Sequence, residues 1–346
     1  MKRLRRETLP VTFEEFMNPV SDPRRKDAPV QVISFTRRSD GPGNPEQLYD
    51  FITQLQQGTI VYPNPITRQQ VVLPVRPGAV ISWWSKDFFY LIQLWHDFPE
   101  TTIRMLETNF RHHFGFTING PDHSIVEPGV NSTLEDRIDR QLPWLVNKCI
   151  QLGEDPAHAI MVKLDPIYIY TFRGRTYDNL DHVPHLCETM KRIGLTRIHM
   201  SFIDFSFIRV KPRLRKLEPD LVFDPLALET RLELLKTRVL PFTNAAGITL
   251  QTCTAMDSDV SQGACVGFAD INSLSGGKAG HLILAKTRLN KACTCYSFRD
   301  VGCKFKGCTH GCRYCFANPQ IYPLPPPVTT NNVCSDKTDI EDSATS

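Results

Sequence analysis

Ala159-Ile160-Met161-Val162-Lys163-Leu164-Asp165-Pro166 reads as a β-strand that ends on a carboxylate. The run is short and largely apolar, as a strand covered on both faces of a parallel sheet should be. Upstream, residues 134–152 carry a helical pattern closed by Gly153; downstream, residues 183–193 carry another, closed by Gly194. Glycine after a helix supplies the left-handed cap without a steric cost. The same alternation extends both ways. Strands are expected at 30–35, 79–84, 114–118, 159–164, 197–202 and 248–253, and helices at 45–57, 86–97, 134–152, 183–193 and 225–243. Asn44-Pro45 and Asp224-Pro225 fit an N-cap followed by proline, and Gly58 and Gly247 fit C-caps. Strand and helix alternating six times imply an α/β fold with a parallel sheet and right-handed crossovers. No internal repeat is visible.

Chemistry in such folds gathers at the C-terminal ends of the strands. Arg37, Arg38, Ser39 and Asp40 follow the first expected strand, Ser85 and Lys86 the second, and Asn119 the third. Asp165 follows the fourth, Ser201 and Asp204 the fifth. Arginine and lysine there suit a carboxylate or a phosphate. The plainer reading is a set of surface ion pairs and helix caps. Asp165 ranks first, because its place on the strand aims it into the mouth of the sheet.

With 346 residues, 41% of them hydrophobic, the chain can bury one large core, and its net charge of +3 does not announce a nucleic-acid binder. No apolar run reaches the roughly 20 residues of a membrane helix, and the basic start Met1–Arg6 leads into no apolar stretch of the secretory kind. The expected setting is therefore the cytoplasm, that of the host if the chain is phage-encoded. Reducing conditions make the eleven cysteines metal ligands or buried thiols rather than disulfides.

Cys308-Thr309-His310-Gly311-Cys312-Arg313-Tyr314-Cys315 has C-x3-C-x2-C spacing. Three such cysteines can hold three corners of a cubane iron–sulfur cluster and leave one iron open, which is where a metal site does chemistry. On spacing alone zinc competes. Cys293, Cys295, Cys312 and Cys315 would make a four-thiolate site, with His310 as a substitute ligand or as a hydrogen-bond donor behind the ligands.

The wider string from Gly307 to Asn318, with Tyr314 before the last cysteine, resembles the radical S-adenosylmethionine (SAM) superfamily, in particular the branch of spore photoproduct lyase. The chain is also similar, over about residues 30–318, to a bacterial and phage family with this motif at its C-terminus. Arg37-Arg38-Ser39-Asp40, Trp84-Ser85-Lys86, Leu164-Asp165-Pro166-Ile167 and Ser201-Phe202-Ile203-Asp204 carry that similarity. The resemblance implies a partial TIM-type (βα)6 barrel and a [4Fe-4S] cluster on Cys308, Cys312 and Cys315. It further implies SAM on the open iron, a 5′-deoxyadenosyl radical, and a flavodoxin or ferredoxin as reductant. Tyr314 would lean on the adenine, and Asp165 would take the ribose or amino group. Ser201, Lys86 and Arg38 complete the expected cofactor contacts. The superfamily places its cysteine loop after the first strand, whereas here the loop is displaced to the C-terminus. A Gly-Gly-Glu string is also missing after the second strand, where Trp83-Trp84-Ser85-Lys86 stands.

Cys253, Cys265, Cys293 and Cys295 are candidates for a second cluster or a zinc ion, the alternative being buried thiols around the first cluster. Cys303 has no spacing to support it; Cys149 and Cys187 sit among apolar residues as core thiols. Lys211, Arg213, Arg215 and Lys216 belong to a basic run after the fifth strand, suited to a nucleic-acid backbone or to plain solvent. The expected units are an N-terminal wrap (1–29), the barrel (30–256), a cysteine-rich segment (257–318) and a proline-rich, acidic, disordered tail (319–346). The expected function is radical SAM chemistry of isomerase or lyase type on a modified pyrimidine in DNA, as in phage DNA hypermodification. The alternatives are a radical enzyme for a small metabolite or peptide, and a non-catalytic iron–sulfur or zinc module that binds nucleic acid.

Overall fold

The computed structural model describes residues 29–35, 40–63, 70–120, 125–203, 220–252, 260–280, 294–301 and 308–315. Thirteen strands occur among them. They are β1 (Val32–Phe35), β2 (Thr59–Pro63), β3 (Gln70–Pro74), β4 (Ala79–Ser85), β5 (Phe110–Thr117), β6 (Ile160–Ile167), β7 (Ile169–Phe172), β8 (Arg175–Asp178), β9 (Arg197–Phe202), β10 (Leu221–Phe223), β11 (Thr249–Thr252), β12 (Ser261–Gln262) and β13 (Arg299–Val301).

Eight of them form one sheet in the order β12-β11-β9-β6-β5-β4-β1-β13. Every pairing in it is parallel. From β1 to β12 each new strand joins the same side of its predecessor, and β13 returns to the free side of β1. The fold is α/β as expected, but the sheet has eight strands rather than six. The two additional strands, β12 and β13, come from the segment assigned above to cysteines. No pairing of β12 with β13 occurs among the described residues, so the sheet is open there.

The central strands are covered on both faces. All seven residues of β4 are buried, serines included. The helix Pro45–Gln56 places Leu48, Phe51, Ile52 and Leu55 on one stripe against the sheet. Phe51 stacks on Phe35 with ring centroids 4.0 Å apart, and Trp83 meets both rings edge-on. Burying each such side chain stabilises the fold by about 1.5–3 kcal/mol. Asn44 caps this helix by accepting from Gln47 N at 3.1 Å, as its sequence predicts. Gly58, Gly153, Gly194 and Gly247 all have the positive φ of a C-cap.

Some boundaries differ. Asp224-Pro225 caps nothing: the following helix, Leu228–Leu234, begins after Ala227. The helix expected from residue 86 begins at Phe89, because Asp87 accepts from Phe89 N and holds the chain before it. The segments Arg137–Gln141 and Leu235–Val239 are π-turns, and each stands just before a proline, Pro143 and Pro241. A proline inside a helix withdraws a backbone donor, and a locally wider turn absorbs the defect.

Two small antiparallel sheets flank the main one. β2 pairs with β3, and β7 pairs with both β8 and β10. Neither was expected. The second matters here, because it grows directly from the C-terminal end of β6. No helix of the described residues is long and apolar enough to cross a membrane.

Candidate metal and cofactor site

β13 leads towards the cysteine loop, and its place beside β1 brings residues 308–315 to the C-terminal ends of β1 and β4. A loop at the end of the chain thus reaches the mouth of the sheet from the side of its first strand. The loop turns tightly: Gly311 N donates to Cys308 O at 3.4 Å and Cys315 N to Cys312 O at 3.1 Å. Gly311 takes φ +57°, a conformation that costs glycine nothing.

Residues 125–130 lie flat against this loop. Gly129 N donates to His310 O, and Arg313 N to Val126 O, each at 2.9 Å. A Cβ on Gly129 would stand 2.1 Å from Thr309 O, so only glycine permits the approach. His310 is buried and uses both ring nitrogens: Nδ1 lies 3.0 Å from Gly129 O and Nε2 lies 2.5 Å from Asp40 Oδ2. Both partners are acceptors, so the ring carries two protons. Burial opposes that charge, but Asp40 and the Gly129 carbonyl outweigh it and raise the pKa of His310 above its ordinary value. With both nitrogens used, His310 is a support for the loop rather than a ligand.

Asp40 also accepts from Gly43 N, Ser85 Oγ and Lys86 N, each at 2.7 Å. One carboxylate therefore ties the ends of β1 and β4 to the cysteine loop. Beside it, Glu127 Oε1 accepts from Lys86 Nζ at 2.9 Å, from Asn119 Nδ2 at 3.1 Å and from the Tyr314 hydroxyl. Burial alone would protonate Glu127; Lys86, Tyr314 and Asn119 overcome it and lower its pKa. Burial likewise works against Lys86, and Glu127 followed by Cys312 keeps it charged. Tyr314 is held by this knot and by Tyr168, whose ring centroid lies 5.4 Å away. Its titration is pushed well above the usual range by burial and by Glu127.

The three cysteines of the motif converge here. Burial, then Asp40, pushes the Cys308 thiol up to about 12. Burial and Glu127 push Cys312 well above its ordinary value, with Lys86 opposing and Cys308 and Cys315 adding to it. These three thiols are near enough to resist one another's ionisation, and a cation among them would remove that resistance. The donor set therefore suits a metal group, with the Lys86 ammonium beside Cys312 to offset the charge of three thiolates. No group of three or more His, Cys, Asp or Glu among the described residues closes on a single ion. Thiolates on one zinc stand about 3.8 Å apart, from tetrahedral bonds of about 2.3 Å, whereas thiolates on three separate irons stand wider.

Across the mouth lies a second group. Asp165, at the end of β6, holds Lys163 Nζ on one oxygen and the Ser201 hydroxyl on the other. Its side chain remains 31% accessible although it sits deep among the strand ends. Burial opposes its charge, but Lys163 and then Ser201 lower its pKa to about 2. Asn119 joins the halves: its Oδ1 accepts from Asp165 N and its Nδ2 donates to Asp165 O, each at 3.1 Å. Next to Asp165, Cys265 Sγ lies 3.7 Å from His199 Nε2.

Thus Lys86, Asp165, Ser201, Tyr314 and the three cysteines of the motif stand at one mouth, as does Cys265. Cys295 is buried in the core beside the same segment, since Tyr296 N donates to Val266 O at 2.8 Å. Arg38, Cys253, Cys293, Cys303, Lys211, Arg213, Arg215 and Lys216 lie outside the described residues. Cys149 and Cys187 are core thiols, as expected. Tyr314, the tyrosine expected on an adenine, donates its hydroxyl to Glu127. The sequence reading missed Glu127, Gly129, Lys163 and Tyr168. Only the turn dipeptide Pro128-Gly129 could have drawn attention to that loop.

Residues 32–317 match the family described as domain of unknown function (DUF1848), and the chain belongs to that family. The match begins at the first residue of β1 and ends two residues past Cys315, so it spans the sheet and the cysteine loop together. No curated protein and no solved structure matches the chain.

Proposed function

We propose that this chain is a radical SAM iron–sulfur enzyme, with a [4Fe-4S] cluster on Cys308, Cys312 and Cys315. The observation that carries the reading is the convergence of one buried and two half-buried thiols beside a largely buried lysine at the mouth of a parallel sheet. Bound there, the cluster and SAM would supply a 5′-deoxyadenosyl radical, given an electron from a flavodoxin or ferredoxin. The strand order supports a TIM-type barrel opened between β12 and β13, since the eight strands follow one another in chain order and the last returns beside the first.

The chain's own contribution is placement and charge. Asp40 and His310 fix the loop, so the three sulfurs are presented together. Lys86 offsets thiolate charge at Cys312. Asp165, ionised down to about pH 2 and partly accessible, suits a ribose hydroxyl or an ammonium group, with Ser201 at its side. Tyr314, Tyr168 and Phe223 wall the mouth on one side with aromatic rings. An aromatic wall suits a flat substrate. The favoured substrate is a modified pyrimidine in DNA, with rearrangement or cleavage of its substituent as the reaction class.

The test is anaerobic reconstitution with iron and sulfide, reduction, and assay for 5′-deoxyadenosine from SAM. Formation of 5′-deoxyadenosine that requires all three cysteines is expected. A protein that binds zinc in place of iron and leaves SAM intact overturns the proposal in favour of a structural metal module.

A further inference from the structure

The hairpin β7–β8 turns through Arg173 and Gly174, with φ of +50° and +75°. Such tight turns ordinarily take Asn-Gly or Gly-Gly, because a side chain in the left-handed region is strained. An arginine stands at the tip instead, with its guanidinium 5.0 Å from the Phe172 ring. The cross-strand register pairs Tyr170 with Tyr177 and Phe172 with Arg175, so these four share one face. Thr171, Thr176 and Asp178 occupy the other, and Asp178 is held there by Arg238 at 2.9 Å. The first face therefore carries aromatic rings and two arginines with no carboxylate between them.

That face is continuous with the mouth. Tyr177 stacks on Tyr170 with centroids 5.2 Å apart, Tyr170 meets Tyr168 at 6.0 Å, and Tyr168 meets Tyr314 at 5.4 Å. Tyr170 and Tyr168 are buried, whereas Tyr177 is 40% exposed and Arg173 and Arg175 are exposed. The row of rings begins at the cysteine loop and ends at an open ring flanked by two cations. Such an end matches a polyanion whose repeating units are flat: bases stack on the ring, and phosphates meet the arginines. Paired bases in a duplex cannot present a face to Tyr177, so the fit is to a single strand.

We propose that this face of the β7–β8 hairpin docks single-stranded nucleic acid, with a base on Tyr177 and flanking phosphates on Arg173 and Arg175, and directs the strand to the mouth. The proposal rests on the nucleobase reading of the mouth and gives it a strand as substrate.

The test uses the full-length chain and a fluorescent twelve-nucleotide oligothymidylate across a salt series, with a hairpin duplex and thymidine monophosphate as competitors. Single-strand binding is expected, with both competitors weaker. Tyr177→Ala should weaken it by about five- to 150-fold, the loss of one stacked base, and Tyr177→Phe should restore it. Replacing Arg173 and Arg175 together by Gln should flatten the slope of log affinity against log salt by about 1.4, from two phosphate contacts on a single strand. Thr176→Ala, on the opposite face, should change neither. The proposal is overturned if the wild type does not bind the strand at low salt, if Tyr177→Ala costs nothing, if Thr176→Ala costs as much, or if the monophosphate competes as well per molecule as the strand. Binding is read without SAM. Lost binding with intact SAM cleavage therefore rejects this platform alone, and intact binding without SAM cleavage rejects the radical chemistry alone.

Discussion

Two lysine–carboxylate pairs face the mouth, and they differ in what else they touch. Lys86 and Glu127 are sealed: the side chains are 14% and 3% accessible, and Asn119 and Tyr314 take further places on the same carboxylate oxygen. Asp165 keeps 31% of its side chain accessible while Lys163 is 8% accessible beneath it. A buried ion pair gains little net stability, because desolvation cancels most of the attraction. Its value is in fixing geometry. The sealed pair, with Asp40 and His310, therefore holds the loop, and the open pair is the one accessible to the ligand proposed above. The mouth has a rigid half and a receiving half.

The largest effect expected from this division is at the cysteines themselves. Cys312→Ala should abolish iron binding at the loop and all SAM cleavage, whereas Cys265→Ala in the receiving half should leave the loop's iron in place. Iron analysis and 5′-deoxyadenosine assay of both variants read the contrast. Full cleavage by the Cys312 variant would falsify the assignment of the rigid half.

Gly129→Ala attacks the same half without touching a ligand. Its Cβ would collide with the Thr309 carbonyl, a backbone atom that cannot rotate away. The 125–130 loop must then separate from residues 309–310, taking the Glu127 contacts with it. Iron retained after gel filtration should fall at least several-fold, while the far-ultraviolet circular dichroism of the sheet stays unchanged. Unchanged retention would mean the two loops do not need each other.

Asp40→Asn is milder. It keeps the volume but removes the charge opposite His310, and breaking one partner of a buried pair costs about 3 kcal/mol. Urea unfolding of the metal-free chain should show that loss. The matching variant Asp165→Asn should cost less, since its site reaches solvent. Equal losses would erase the distinction between the halves.

The two halves were unequally legible in the sequence. Cysteine spacing announces itself, and Asp165 follows from ending an apolar strand. Glu127 could not be read: it lies in a segment without periodicity, and its partners Lys86 and Tyr314 are 41 and 187 residues away. The strands β1, β4, β5, β6 and β9 were legible because burial on both faces writes an apolar run, whereas β11, Thr249-Leu250-Gln251-Thr252, buries one face only and is marked by its position after the Gly247 cap. β12 and β13 were not, since Ser261-Gln262 and Arg299-Asp300-Val301 carry no such run. They join the sheet by backbone pairing, to which side-chain pattern is silent. The β7–β8 hairpin was hidden behind the expectation that a helix must follow each strand.

The smallest expected effect is a dependence on pH. Asp165 has an ordinary pKa of 3.8 and is lowered to about 2 in the fold, against the pull of burial, by Lys163 and Ser201. A carboxylate whose pKa falls on folding stabilises the fold above its unfolded value and loses that contribution as pH drops through the folded one. The shift corresponds to roughly 2 kcal/mol, an upper figure because the group is partly wetted. Wild-type stability should therefore decline between about pH 4 and pH 2 more steeply than that of Asp165→Asn, and the curves should converge at the acid end. Urea midpoints of the metal-free chain at several pH values measure the difference. Parallel curves would show that the carboxylate is not held by Lys163 and Ser201; Asp165 would still be ionised at neutral pH, but the receiving half would lose the fixed orientation of that charge, on which the proposed contact with a ribose or an ammonium group depends.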